Sequence, residues 1–166
     1  MIKLIRLDER LIHGQVAIKW SRHLGVDRIV VANGDAADSE LIQQSLMMAA
    51  PPTAKVAIKT VEGAITLVND PRAERLSILV IVATPADLLA VVTQVPGIPA
   101  INIGNYGRTA ARHNNLPRPT YDPNLYLYPE EAAILQQVVD TGIPAVIQTT
   151  PEDSPTNLAG VLANKR

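Results

Sequence analysis

The stretch Asp8-Glu9-Arg10-Leu11-Ile12-His13-Gly14-Gln15-Val16 decides the fold. An apolar run at residues 2–7 leads into it. An amphipathic run at 15–24 leaves it, with Val16, Trp20 and Leu24 on one face. That order reads strand, tight loop, helix. Arg10 and His13 then sit at the mouth of a helix. The first backbone N–H groups of a helix lack partners, and that end carries roughly half a positive charge. Such an end holds phosphoryl groups readily. A histidine placed there is a candidate phosphate carrier as well as a candidate base.

Working outward, short runs rich in Val, Ile and Leu recur at 28–33, 55–59, 78–83, 100–103, 125–128 and 145–148, and each predicts a strand. Helical patterns at 39–49, 61–68, 86–95 and 129–141 lie between most of them. The 39–49 pattern places Leu41, Ser45 and Met48 on one face with Ile42 and Leu46 beside them. Pro129 followed by Glu130 and Glu131 marks a helix start, and Gly142-Ile143-Pro144 marks a stop. This alternation predicts an α/β fold, a mainly parallel central sheet of about six to seven strands with helices on both faces. In such sheets ligands gather at the carboxyl ends of the strands, where the 8–14 loop leaves the first one. Asn33-Gly34-Asp35 reads as a turn that carries Asp35 toward the same end. Residues 104–124 read as a long irregular loop. The tail from about 151 reads as turn residues followed by a short helix at 157–163 or by a loosely docked end.

The 166 residues suit a single domain, 1–166. Fifteen basic residues against 16 acidic ones leave no surplus for nucleic acid. Cysteine is absent, which excludes disulfides and thiol chemistry and fits a reducing compartment. The chain enters its first strand at once, so no signal peptide is expected. The longest apolar run, 76–83, falls far short of the ~20 residues that span a bilayer. His13, His23 and His113 lack metal-ligand spacing, and no nucleotide-binding glycine loop is present, so neither metal nor cofactor is expected.

Within the first loop each residue has a possible task. Imidazole, with an ordinary pKa of about 6.5, is mostly neutral and nucleophilic at neutral pH. Histidine at position 13 can therefore form a phosphoramidate. Arg10 offers a planar fork to phosphate oxygens. Gly14 has no Cβ to obstruct a close approach, and its N–H and that of Gln15 face an incoming oxyanion. Asp8 is a candidate orienter of His13 or Arg10. On spacing alone, Arg-x-x-His equally describes an ordinary exposed loop, Gly14 a plain turn and Asp8 a strand-end cap. Leu11, Ile12 and Trp20 suit either the core or an apolar rim around the site. Arg108 and Arg112 suit either a phosphate or plain solvation.

The segment Ile5-Arg6-Leu7-Asp8-Glu9-Arg10-Leu11-Ile12-His13-Gly14-Gln15-Val16, with Trp20 after it, closely resembles the enzyme IIB component of the mannose/fructose/sorbose class of the bacterial phosphoenolpyruvate:sugar phosphotransferase system. The motif is long and specific. The resemblance continues from Asn33 to Pro52 and returns at Ile101-Asn102-Ile103-Gly104-Asn105, covering about two thirds of the chain.

The resemblance implies a cytoplasmic phosphocarrier in sugar uptake, peripherally associated with membrane transporter components. It implies that His13 is the phosphohistidine and Arg10 the stabiliser of the transferring group. It implies enzyme IIA as donor, and a sugar entering through membrane components IIC and IID as acceptor. The 106–128 region departs from the family pattern. A non-transferring regulatory or binding module that kept the fold is the alternative.

Overall fold

The computed structural model describes residues 1–164, in which strands and helices alternate along most of the chain. They run β1 (Ile2–Asp8), α1 (Gly14–Leu24), β2 (Arg28–Ala32), α2 (Gly34–Ala37), α3 (Glu40–Ala49), β3 (Lys55–Lys59), α4 (Val61–Asn69), β4 (Ile78–Val82) and α5 (Pro85–Gln94). There follow β5 (Ile101–Asn105), β6 (Thr120–Asp122), β7 (Leu125–Tyr126), α6 (Pro129–Asp140), β8 (Ala145–Ile147), β9 (Thr156–Asn157) and α7 (Leu158–Ala163).

The helices start where the sequence supplies an acceptor for their first unpaired N–H groups. Ser39, Thr60 and Thr84 each accept from the third helical N–H, at 3.2, 3.0 and 3.1 Å. The central sheet has the order β3-β2-β4-β1-β5-β8-β9. All its pairings are parallel except that of β9 with β8. Strand period two sorts the side chains to opposite faces. Ile5, Leu7, Val30, Ala32, Ile103 and their neighbours pack against α4, α5, α6 and α7. Leu4, Ile29, Val31, Leu79 and Ile81 pack against α1, α2 and α3. Each fully buried Ile or Leu stabilises the fold by about 1.5–3 kcal/mol.

This is the α/β architecture expected from the pattern, with four differences of detail. The 125–128 run forms only a short strand, which pairs antiparallel with β6 outside the central sheet. Its apolar signal reflects burial of Leu125 and Leu127, while the Tyr128 N–H already turns into α6 by donating to Glu131 Oε1 at 2.9 Å. The seventh central strand is instead β9, too short and polar to be read. The expected turn at 33–35 becomes the single helical turn α2, because Asn33 Oδ1 accepts the Ala36 N–H at 2.8 Å. In α3 only Leu46 is buried, whereas Leu41 and Met48 are 78% and 88% exposed. The helical period locates that helix but not the face it buries.

Topology places the site. The chain leaves β1 into α1 on one face of the sheet, whereas the neighbouring β4 leads to α5 on the other. Connections that diverge to opposite faces open a crevice at the carboxyl ends of those strands. Residues 9–13 lie at that crevice.

Candidate functional site

Period two puts Leu4, Arg6 and Asp8 on the α1 face of β1. Two charged side chains thereby enter a buried layer. Asp8 is fully buried and Arg6 nearly so. Asp8 organises the loop that follows it. The Arg10 N–H donates to Asp8 Oδ1 at 3.0 Å, and the Leu11 N–H donates to the Asp8 carbonyl at 2.9 Å. Leu11 is held at φ 60° and Gly14 at φ 47°. Two left-handed residues therefore bracket His13, a conformation that side chains adopt reluctantly and that clusters at functional loops. At Gly14 a Cβ would meet nothing, so the backbone angle, not crowding from the protein, selects glycine.

His13 is the N-cap residue of α1, in extended conformation. Its side chain makes no capping bond, and no acidic residue occupies the first turn. It reaches back instead, with Nε2 at 2.7 Å from Asp8 Oδ2. Burial pushes the Asp8 pKa upward. The His13 hydrogen bond, the Arg6 charge and the Arg10 N–H outweigh that and hold it below the ordinary carboxylate value. Asp8 is thus an anion at neutral pH. It accepts from Nε2–H, which fixes the tautomer with the lone pair on Nδ1.

Behind Asp8 stands Arg6. Its Nη2 donates to Asp8 Oδ2 at 3.2 Å. Its Nη1 donates to Asn102 Oδ1 and to the Gln148 carbonyl, and the guanidinium lies 5.6 Å from the Trp20 ring centre. Gly104 faces this group so closely that a Cβ would stand 2.1 Å from Arg6 Nη2.

Arg10 is half exposed, with Nε 4.0 Å from Asp8 Oδ1. That separation is a weak attraction at a wet surface and leaves the fork available to a ligand. Arg10 lines a cleft of about 520 Å³ with Glu9, Leu11, Asn33, Asp35, Ser45 and Thr84.

The residues singled out from the sequence therefore meet: Asp8, His13, Gly14 and Gln15 at the helix mouth, Arg10 beside them and Asp35 across the cleft. Leu11, Ile12 and Trp20 are not rim residues but core, at 8%, 3% and 4% exposure. Trp20 anchors there by donating Nε1–H to the Thr149 carbonyl at 2.9 Å. The large apolar side chains left in solvent near the cleft are on α3 instead. Arg108 is engaged by its own loop, through the Pro123 carbonyl and Asn124 Oδ1. Arg6 is the residue that sequence patterning conceals. Its signal is parity, since a charge two residues before Asp8 in a buried strand must share the Asp8 face.

Residues 2–166 match the family model described as the PTS system sorbose subfamily IIB component. The chain belongs to this family. It is 42% identical over 139 residues to a probable phosphotransferase enzyme IIB component of Streptococcus pyogenes, covering 84% of this chain and 85% of that one. It is 23% identical over 163 residues to a fructose-specific EIIB component of Bacillus subtilis, covering 98% and 96%. The crystal structure of the IIBSor domain of the sorbose permease from Klebsiella pneumoniae superposes with a TM-score of 0.89 over 100% of this chain and 98% of that one, at 26% identity. This IIB component is accordingly a phosphotransferase and phosphocarrier of the sugar phosphotransferase system. Among the described residues no helix is long and apolar enough to cross a membrane.

Proposed function

We propose that His13 is the residue that carries the phosphoryl group, and that Nδ1 is the atom that bears it. The observation that carries this is the 2.7 Å bond between His13 Nε2 and the buried Asp8 carboxylate at the mouth of α1. With Nε2–H committed to Asp8, the Nδ1 lone pair attacks the phosphorus of a phosphohistidine on enzyme IIA in line. The donor N–P bond breaks, and its electron pair stays on the donor imidazole. The positive charge that develops on the His13 ring faces the Asp8 anion. Arg10 and the N–H groups of Gly14 and Gln15 neutralise the phosphoryl oxygens, the positioning and charge stabilisation that phosphoryl transfer requires.

In the second transfer a sugar hydroxyl, presented by the membrane components IIC and IID, attacks the same phosphorus. The electron pair of the N–P bond returns to Nδ1, and the hydroxyl proton leaves to solvent. The protein thus works in the cytoplasm, at the surface of its membrane partners. Its relatives carry names specific for fructose or sorbose, so a sugar of that class is the acceptor proposed here.

The test is acceptance. The protein and its His13→Ala variant are incubated with phosphoenolpyruvate, the general phosphotransferase proteins and enzyme IIA, and intact masses are compared. One acid-labile phosphate on the parent and none on the variant is expected. Phosphate retained by the variant moves the site elsewhere.

A further inference from the structure

Glu9 stands between Asp8 and Arg10, and its side chain leaves the loop toward a different neighbour. Its carboxylate collects four consecutive backbone N–H groups. Gly107 and Ala110 donate to Oε1, both at 3.1 Å, and Arg108 donates to Oε2 at 3.0 Å. Thr109 reaches both oxygens, at 3.3 and 3.4 Å. The Glu9 N–H in turn donates to the Asn105 carbonyl at 3.0 Å. Successive N–H groups that converge on one point form an anion seat, and bonds to an ionised acceptor are stronger than neutral ones. The 107–110 segment therefore takes its shape from a negative charge that the His13 loop supplies.

That segment belongs to the cleft beside Arg10. Thr109, Ala110 and Ala111 line it together with Arg10, opposite the residues contributed by α2 and α3. We propose that Glu9 is a positioning residue for phosphoryl exchange. It holds 107–111 as a preformed wall of the cleft, against which the phosphohistidine-bearing segment of the donor protein docks. The inference rests on His13 being the phosphoryl carrier. Glu9 touches no reacting atom in this scheme. It acts on the encounter, because a wall ordered before docking does not have to be ordered at the expense of affinity.

Glu9→Gln and Glu9→Ala test it. Glutamine offers one acceptor oxygen in place of two and turns an NH₂ group toward four donors. Alanine empties the seat. Initial rates of transfer from phosphorylated enzyme IIA are measured against donor concentration, with amide exchange followed in parallel. In both variants KM is expected to rise about tenfold, with kcat within about twofold of the parent, as for lost preorganisation. Amides 107–110 are expected to exchange faster while those of β1 and β5 keep their protection. Formate, but not chloride at equal ionic strength, is expected to bring KM of Glu9→Ala back toward the parent. A parent-like KM in both variants overturns the inference, as does a fall in kcat at unchanged KM. Loss of the folded state in both overturns it too, by making the clamp part of the fold. A parent protein that takes no phosphate on His13 overturns the carrier assignment, and the role of Glu9 falls with it.

Discussion

Arg6 is a guanidinium in the middle of an apolar strand, and it is tolerated only because every side of it is occupied. Stripping such an ion of water costs several kcal/mol unless geometry and hydrogen bonds compensate. Asp8, Asn102, the Gln148 carbonyl and the Trp20 ring do so. Arg6→Met leaves Asp8 buried and unpaired, and a loss of about 3 kcal/mol in urea unfolding is expected. Phosphoryl acceptance is expected to fall about ten- to a hundredfold, the range for removing the partner that orients an active group. Gly104→Ala keeps the charge but displaces the guanidinium, and it should lower the rate in the same way. An unchanged rate in Gly104→Ala would mean that the position of Arg6 does not matter to His13. The chain has one tryptophan, and Trp20 sits at the end of the relay from His13 through Asp8 and Arg6. Its emission is expected to change on phosphorylation in the parent and to stop responding in Arg6→Met. The motif around His13 is legible as a phosphoryl site because helix mouth, arginine and histidine are local in sequence. Arg6 and Glu9 are not, because their partners lie about a hundred residues away.

At the scale of elements, strands and helices with a strong period were readable and the 106–128 segment was not. Its order rests on one buried arginine. Arg118 Nε donates to Glu131 Oε1 at 2.8 Å, and its Nη groups donate to the carbonyls of Ala110 and Ala111, both at 2.9 Å. The guanidinium lies 4.4 Å from the Tyr128 ring centre and 5.4 Å from that of Tyr106. The Tyr106 hydroxyl donates to Glu131 as well, and burial with that carboxylate raises the Tyr106 pKa far above its ordinary value. No local pattern encodes such a knot. Proline and asparagine spacing describes how the segment turns, not what it turns around. Arg118→Ala leaves Glu131 facing two aromatic rings without its cation, and a loss of about 3 kcal/mol is expected. Hydrogen exchange should locate the damage at 110–128 and leave β1, β2 and β4 protected. Uniform loss of protection would make the segment part of the central folding unit.

For the whole molecule, these two buried clusters set the response to acid. Burial raises the pKa of Asp8 and of Glu131, but hydrogen bonds and neighbouring cations more than reverse it, and both end below the ordinary carboxylate value. A carboxyl whose folded pKa is depressed contributes stability that is complete above its unfolded pKa, about 4. That contribution is lost as pH falls through the lower folded value. Asp87 has the opposite sign. Burial, and the charge of Asp35, raise its pKa against the Thr84 hydrogen bond, so protonating it relieves the fold. Melting temperature is therefore expected to stay nearly level from pH 7 to pH 5, with the relief at Asp87 falling in this range, and then to drop below about pH 4. Asp8→Asn separates the contributions. It should be less stable than the parent at pH 7, and the gap should narrow toward pH 3, where the parent carboxylate begins to protonate. A gap that stays constant with pH would mean that Asp8 stabilises the fold through shape alone and that its charge, the property that fixes the His13 tautomer, is not what the fold maintains.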